Sequence, residues 1–223
     1  MRAIVAILFL IVFHVSGPAI PARGEIVFSD DFNDGLDSLW LHASRWTAES
    51  GRLYYTGPSD PQRFLCGGSL ESQLHFLSFD FCRHNVQDEL GFMVMSPLAP
   101  FESNNTSGYT IFLSNDGYGY LATPGNILQD SYDSLLTMQT GVPYRVEFGY
   151  QENQIRYRHW PLGSDTPDWF WAHEYDGLFD RGFWYIFVNS TGTGSWIDNF
   201  TVEGSDTIPN EQMTWGAIKQ LYD

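Results

Sequence analysis

Lysine is nearly missing from this 223-residue chain. Lys219 is the one lysine among 11 basic residues, set against 27 acidic ones, and the formal charge is −16. Duplex nucleic acid is bound by proteins that displace counterions with a basic excess, so this balance excludes such a partner. Cysteine is scarce as well. Cys66 and Cys82 are the only two, too few for a disulfide-stapled mini-protein. Charged residues are 17 % of the chain, against roughly 25 % in an average globular domain. No apolar run reaches the ~20 residues that span a bilayer. No segment before residue 210 keeps a helical apolar period beyond two turns. Gly-x-Ser-x-Gly, His-Glu-x-x-His and phosphate-loop motifs are absent, as are internal repeats and low-complexity stretches.

Aromatic residues are abundant: 8 Trp, 12 Tyr and 17 Phe, or 17 % of the chain. Disordered chains lack such side chains. One compact, acidic, aromatic-rich domain is what remains.

Residues 1–22 read as a secretory signal peptide. Met1-Arg2 is a short positive start, Ala3 to Val15 is apolar apart from His14, and small residues and turn formers follow. Such a run is too short to span a membrane and fits an export signal. Cleavage fits after Ala22 or Ala19. The nearest cysteine is Cys66, so a lipid-modified cysteine at the cleavage site is excluded. The mature protein is expected to lie outside the cytoplasm: secreted, periplasmic or at the cell surface, with no transmembrane segment. An oxidising compartment allows a Cys66–Cys82 disulfide. Two buried free thiols are the other reading.

From residue 25 onward the pattern is that of strands bounded by Gly, Pro, Asn and Asp. Strands are expected at Glu25–Ser29, Arg52–Thr56, Glu71–Cys82, Leu90–Met95, Gly108–Leu113, Gly117–Ala122, Tyr144–Tyr150, Asn153–Trp160, Trp169–Glu174, Phe183–Val188 and Ser195–Val202. Asn115-Asp116-Gly117 and Gln151-Glu152-Asn153 have hairpin chemistry. Eleven short strands with frequent turns indicate an all-β fold, an antiparallel β-sandwich or jelly roll, over residues 25–203. Residues 204–223 read as a linker and a short C-terminal helix carrying Trp215, Ile218, Leu221 and Tyr222 on one face. Its Thr-Trp-Gly-x-Ile-Lys-x-Leu-Tyr ending resembles that of some exported bacterial proteins.

Three stretches carry a wider resemblance. The opening Val27-Phe28-Ser29-Asp30-Asp31-Phe32-Asn33-Asp34-Gly35 with Trp40, Trp46 and Ser50-Gly51-Arg52-Leu53 is one. The run Pro143-Tyr144-Arg145-Val146-Glu147 leading to Ile155 through Gly163, then Pro167 and Trp169, is the second. Trp196-Ile197-Asp198-Asn199-Phe200-Thr201-Val202 is the third. In order and spacing they resemble the concanavalin A-like (LamG-like) jelly-roll superfamily. That resemblance implies neighbouring first and last strands tied by a structural calcium ion. The ligands would be a carboxylate of Asp30 or Asp31, the carbonyl of Gly51 and the carboxylate of Asp198. A hard cation taking 6–8 oxygens suits such a set. The alternative is an ordinary aspartate-rich turn with no ion.

Glycosidases of this superfamily carry Glu-x-Asp-x-x-Glu on one strand, so that two carboxylates flank the scissile bond. No Glu-x-Asp occurs here. Gln73-Leu74-His75, with Arg83, Tyr118 and Tyr120, resembles part of a polysaccharide-lyase constellation, without that family's Tyr-rich closing motif. A non-catalytic binding module is the simpler expectation. Trp169 and Trp171 with His173, and Trp160 with Arg156 and Arg158, would form an aromatic and cationic strip for a carbohydrate or a cell-envelope component. Indoles suit this because they join an apolar body to a polar edge. Core filling is the competing role for each ring. A structural or adhesion domain without a sugar site is the competing function.

Overall fold

In a computed structural model the described part of the chain is almost wholly β. The described residues are 25–37, 40–41, 46–56, 62–70, 74–85, 88–96, 108–114, 116–123, 126–132, 136–151, 153–174, 182–189 and 194–204. The expected signal peptide and C-terminal helix lie outside them, as does Gln73. No helix among the described residues is long and apolar enough to cross a membrane.

Among the described residues, fifteen strands form two antiparallel sheets. They are β1 (Glu25–Asp30), β2 (Trp40–Leu41), β3 (Trp46–Glu49), β4 (Arg52–Tyr55), β5 (Gln62–Leu70), β6 (Leu74–Cys82), β7 (Glu89–Ser96), β8 (Tyr109–Leu113), β9 (Tyr118–Thr123), β10 (Asn126–Tyr132), β11 (Pro143–Gln151), β12 (Gln154–Pro161), β13 (Trp171–Glu174), β14 (Gly182–Asn189) and β15 (Trp196–Gly204). The first sheet runs β13-β12-β11-β6-β15-β4-β3, with β1 also on β15; the second runs β10-β9-β8-β7-β14-β5-β2. All eleven expected strands are present, shifted at their ends. β2, β3, β5 and β10 were not expected. Gly67-Gly68 interrupts the apolar pattern of β5, and Gln129-Asp130-Ser131 makes β10 polar. β10 is an edge strand, where no apolar alternation is required.

The two ends of the domain meet. Glu25 to Asp30 of β1 pair with Gly204 to Phe200 of β15. The same edge of β15 pairs with β4 through Trp196 and Ile197. β15 therefore divides one edge between two partners, and the division falls at Asp198-Asn199. There the register with β6 also slips, and Asn199 takes a positive φ of 48°.

Alternation fills the space between the sheets. On β12, Ile155, Tyr157 and His159 are buried while Arg156, Arg158 and Trp160 face outward and are half-buried. Phe79 of the first sheet meets Phe92 of the second edge-on at 5.7 Å. Phe28, Trp40, Trp184 and Phe200 close the core near the chain ends. Cys82 ends β6 as a buried free thiol, raised in pKa by its burial. Cys66 lies on β5 in the other sheet.

Candidate functional site

Two concave regions stand out among the described residues, one beside β1 and β15, the other beside β13. The first is an acidic corner beside the split edge of β15. Asp30 ends β1, and its carboxylate is almost fully buried. It accepts the Phe32 amide at 2.7 Å and the Trp40 indole N–H at 2.6 Å. Those bonds bind the opening loop to the core. Burial nevertheless raises the Asp30 pKa above its ordinary value. Asp31 and Asp34 are exposed, and one carboxylate oxygen from each of Asp30, Asp31 and Asp34 lies within 4.8 Å of the others. Asp31 accepts the Asn33 amide at 3.1 Å and the Asn33 side chain, which hold its pKa down.

Across from this loop, Ser50 and Gly51 form the two-residue β3–β4 turn. Both have positive φ, 54° and 72°, as a type I′ hairpin turn requires. Gly51 lies so close to the opening loop that a Cβ there would sit 2.6 Å from Asn33 Oδ1 and 3.7 Å from the Asp31 carbonyl. Three of the four expected calcium ligands, Asp30, Asp31 and Gly51, are thus brought together. Asp198 stands outside the trio of clustered carboxylates but within reach of the Asp31 charge. It pairs in register with Asp80, and burial first, then the Asp80 and Asp31 charges, raise its pKa. Asp34, read from sequence as a turn residue, takes the closer place.

Arg145 forms the far wall of the corner's cavity of about 370 Å³. It donates to Asp80 at 3.1 Å and to Ser78 at 2.8 Å, and the Asn199 side chain donates to the second Asp80 oxygen at 2.8 Å. Every donor group here is an oxygen, and two of the three clustered carboxylates face solvent. The set fits a hard divalent cation.

The second region lies where β13 and β10 approach. Residues 161–170 form a loop pinned at several points. The Leu162 amide donates to Pro143 O at 2.9 Å, and the Phe170 amide to Tyr157 O at 2.9 Å. Arg158 holds the middle. Its Nε and NH2 donate to one Glu147 oxygen at 2.8 and 2.7 Å, and its NH1 to Pro167 O at 3.0 Å. Its guanidinium lies 4.1 Å from the centre of the Trp169 ring and 5.2 Å from that of Trp160. Phe76 touches the same indole at 5.8 Å. Trp169 is therefore a half-buried ring fixed in place before any ligand arrives. Beside it is a cleft of about 380 Å³, lined by Ser131, Leu136, Pro167, Asp168, Trp169, Phe170 and Trp171. That size suits a small ligand.

The expected aromatic strip is only partly formed. Trp160, Arg158 and Trp169 do share the outer side of the first sheet. Trp171 does not share it: the ring is 3 % exposed and packs on Tyr157 at 5.3 Å. Its tip lies under Gly119, where a Cβ would meet it at 2.8 Å, and its indole N–H donates to Ser131 at 3.3 Å. The reason is a break in alternation. Trp169 belongs to the loop and β13 begins only at Trp171, so the two rings do not sit on one strand. Trp171 is the floor of the cleft. His173 is half-buried two residues further along β13. Arg156 is engaged by the Gln154 side-chain oxygen at 2.9 and 3.2 Å.

A third cluster, on the outer side of the second sheet, gathers Tyr118 and Tyr120, named from sequence for a lyase constellation, with Phe112, which the sequence reading did not single out. Phe112 stacks on Tyr120 at 5.2 Å, and Tyr118 lies 6.0 Å from Tyr120. The Tyr118-Gly119-Tyr120 alternation, with Leu121 buried, was the available signal.

Two carboxylates of the first sheet's outer side are committed to ion pairs: Asp80 with Arg145 and Glu147 with Arg158. Ser195, His84 and Asp88 come together at one end of the sandwich, without catalytic geometry. Ser195 Oγ donates directly to Asp88, and the group meeting Ser195 is the His84 backbone amide, at 2.9 Å. The set latches the β6–β7 connection onto the start of β15.

No protein-family model matches the sequence, and no curated protein matches it either. Solved structures do match in fold. Carbohydrate-binding module CBM66 from Bacillus subtilis superposes with a TM-score of 0.55 at 10 % identity, covering 74 % of this chain and 96 % of that one. The lectin UEA-II, solved with galactose, gives 0.60 at 9 %, covering 80 % and 98 %. The Ca²⁺-bound exoplasmic/lumenal domain of VIP36 gives 0.58 at 12 %, covering 78 % and 89 %. At these identities the likeness is one of fold, and the fold is the lectin-type jelly-roll sandwich.

Proposed function

We propose that this chain is an exported, non-catalytic carbohydrate-binding module. Its sugar-contacting surface is the cleft beside Trp169, and the acidic corner holds a structural calcium ion. The observation that carries the reading is the preset Trp169 ring over an aromatic cleft of about 380 Å³. Sugars lay their C–H faces on indole rings and use polar neighbours to orient their hydroxyls. Neighbours of the same fold named as carbohydrate-binding modules and lectins support the class of ligand. The Ca²⁺-bound VIP36 domain supports the class of ion. Asp31, Asp34 and the Gly51 turn would hold the ion, with Asp30 and Asp198 beside them. Calcium supplies positive charge there, joining the opening loop to the β3–β4 turn at the split edge of β15. The export signal read from residues 1–22 supports a place outside the cytoplasm.

A glycan array probed with the whole chain tests the proposal. Binding to at least one polysaccharide class, abolished by Trp169→Ala with the fold intact, is the expected result. No binding across plant, algal and bacterial glycans would favour a structural or adhesion domain. Unsaturated product absorbing at 235 nm would favour a lyase.

A further inference from the structure

The cleft beside Trp169 has a one-sided polar chemistry. From it we infer that the site selects uncharged glycans and rejects uronate- and sulfate-bearing ones; this rests on the carbohydrate-binding reading of the same cleft. Its described lining is aromatic and aliphatic apart from Ser131 and Asp168, and no cation is among the described lining residues. Asp168 is exposed at the rim. An ionised carboxylate only accepts hydrogen bonds, so the ligand group that meets it must donate. Sugar hydroxyls donate. Carboxylate and sulfate groups at neutral pH do not.

Among the described residues, the guanidinium that packs on Trp169 is already engaged within the fold. Arg158 uses Nε and NH2 on Glu147 and NH1 on Pro167, and one face of its plane covers Trp169. Three of its five N–H donors are engaged, and the Nε/NH2 edge, one of the two that can grip an anion as a fork, is closed by Glu147. Glu147 also cancels its charge. Arg156 and Arg145 are likewise held, by Gln154 and by Asp80. Arg158, from the cationic half of the strip read from sequence, fixes the loop that carries Trp169. An anionic sugar would leave water for an aromatic wall with no counter-charge. It would do so beside Asp168, on a chain of net charge −16. A neutral hexose or pentose ring meets neither cost.

The test is calorimetric titration of the whole chain with two groups of polymers. The neutral ones are laminarin, xylan and galactomannan; the anionic ones are alginate, polygalacturonate and carrageenan. Each is run at low and at high salt. The expected result is binding to a neutral polymer at least about tenfold tighter than to any anionic one at 0.01 M salt, with the gap narrowing toward 1 M as screening shortens from roughly 30 to 3 Å. Asp168→Asn should narrow the same gap at low salt, and Trp169→Ala should remove the neutral binding while thermal unfolding stays cooperative. Equal or tighter binding of an anionic polymer, lost in Trp169→Ala, would overturn the inference and leave the carbohydrate reading standing. Neutral binding indifferent to Trp169→Ala would overturn it too. Failure of all six polymers would overturn both.

Discussion

Replacing Gly51 by Ala probes the corner where the chain ends are joined. The residue has φ +72°, and the added Cβ would lie 2.6 Å from Asn33 Oδ1. A left-handed conformation costs an L-residue roughly 1–2 kcal/mol. Separations below 3 Å are not tolerated, so Asn33 must swing away. That costs its side-chain bond to Asp31, worth about 1 kcal/mol. The sum is about 2–3 kcal/mol, a fall in Tm of about 5–10 °C for a domain of this size. Urea unfolding followed by tryptophan fluorescence measures it. Asn33→Ala in the Gly51→Ala background frees the space, so the double variant should be more stable than the single losses predict by about 1 kcal/mol. A Gly51→Ala variant as stable as the parent, or strict additivity with Asn33→Ala, would refute the packing of turn against loop.

Other expectations follow from particular contacts. Trp171→Ala should cost about 3–5 kcal/mol in urea unfolding, the range for a buried aromatic, whereas Trp160→Ala, on the half-buried outer side, should cost less than about 1.5 kcal/mol. Arg145→Met leaves the buried Asp80 carboxylate without its cation; a loss of about 1–3 kcal/mol is expected, and an unchanged midpoint would mean that Asn199 alone satisfies it. In EDTA, stability should rise as pH falls from neutral toward 3.8. Burial holds Asp30 and Asp198 above that ordinary value, so the folded state takes up their protons before the unfolded state does. Below 3.8 stability should fall again, because Asp31 and Asp116 are held under their ordinary value; a Tm declining steadily from pH 7 would contradict this. Calcium at about 100 times its Kd should stabilise the parent by about 2.7 kcal/mol, and should not stabilise Asp31→Asn/Asp34→Asn.

Much of the fold was legible because alternation and turn chemistry are local. The β11–β12 hairpin follows from period-two burial on Gln154–Pro161 and from Asn153, whose positive φ suits a tight turn. The meeting of the chain ends was legible only through resemblance, since nothing local in Glu25–Asp30 names β15 as its partner. Strands such as β5 and β10 were missed where glycine or an edge position removed the apolar pattern. At the site, composition identified the residue types and misjudged their sides. Trp169 and Trp171 look like one strand face until the loop is seen to end between them. Arg158 reads as a ligand cation until the hairpin register, which places Glu147 directly opposite it, is known. Asp198 reads as a ligand through resemblance; in the fold it lies in register with Asp80, and its charge also meets that of Asp31.

Mapping a bound glycan onto the eight indoles tests the central claim most directly. A neutral oligosaccharide titrated into the ¹⁵N-labelled chain should shift the indole N–H signal of Trp169, and that of Trp171 beneath the cleft, while the core indoles of Trp40, Trp46 and Trp184 stay fixed. Saturating binding with both cleft indoles unmoved would place recognition elsewhere on the sandwich and contradict the account.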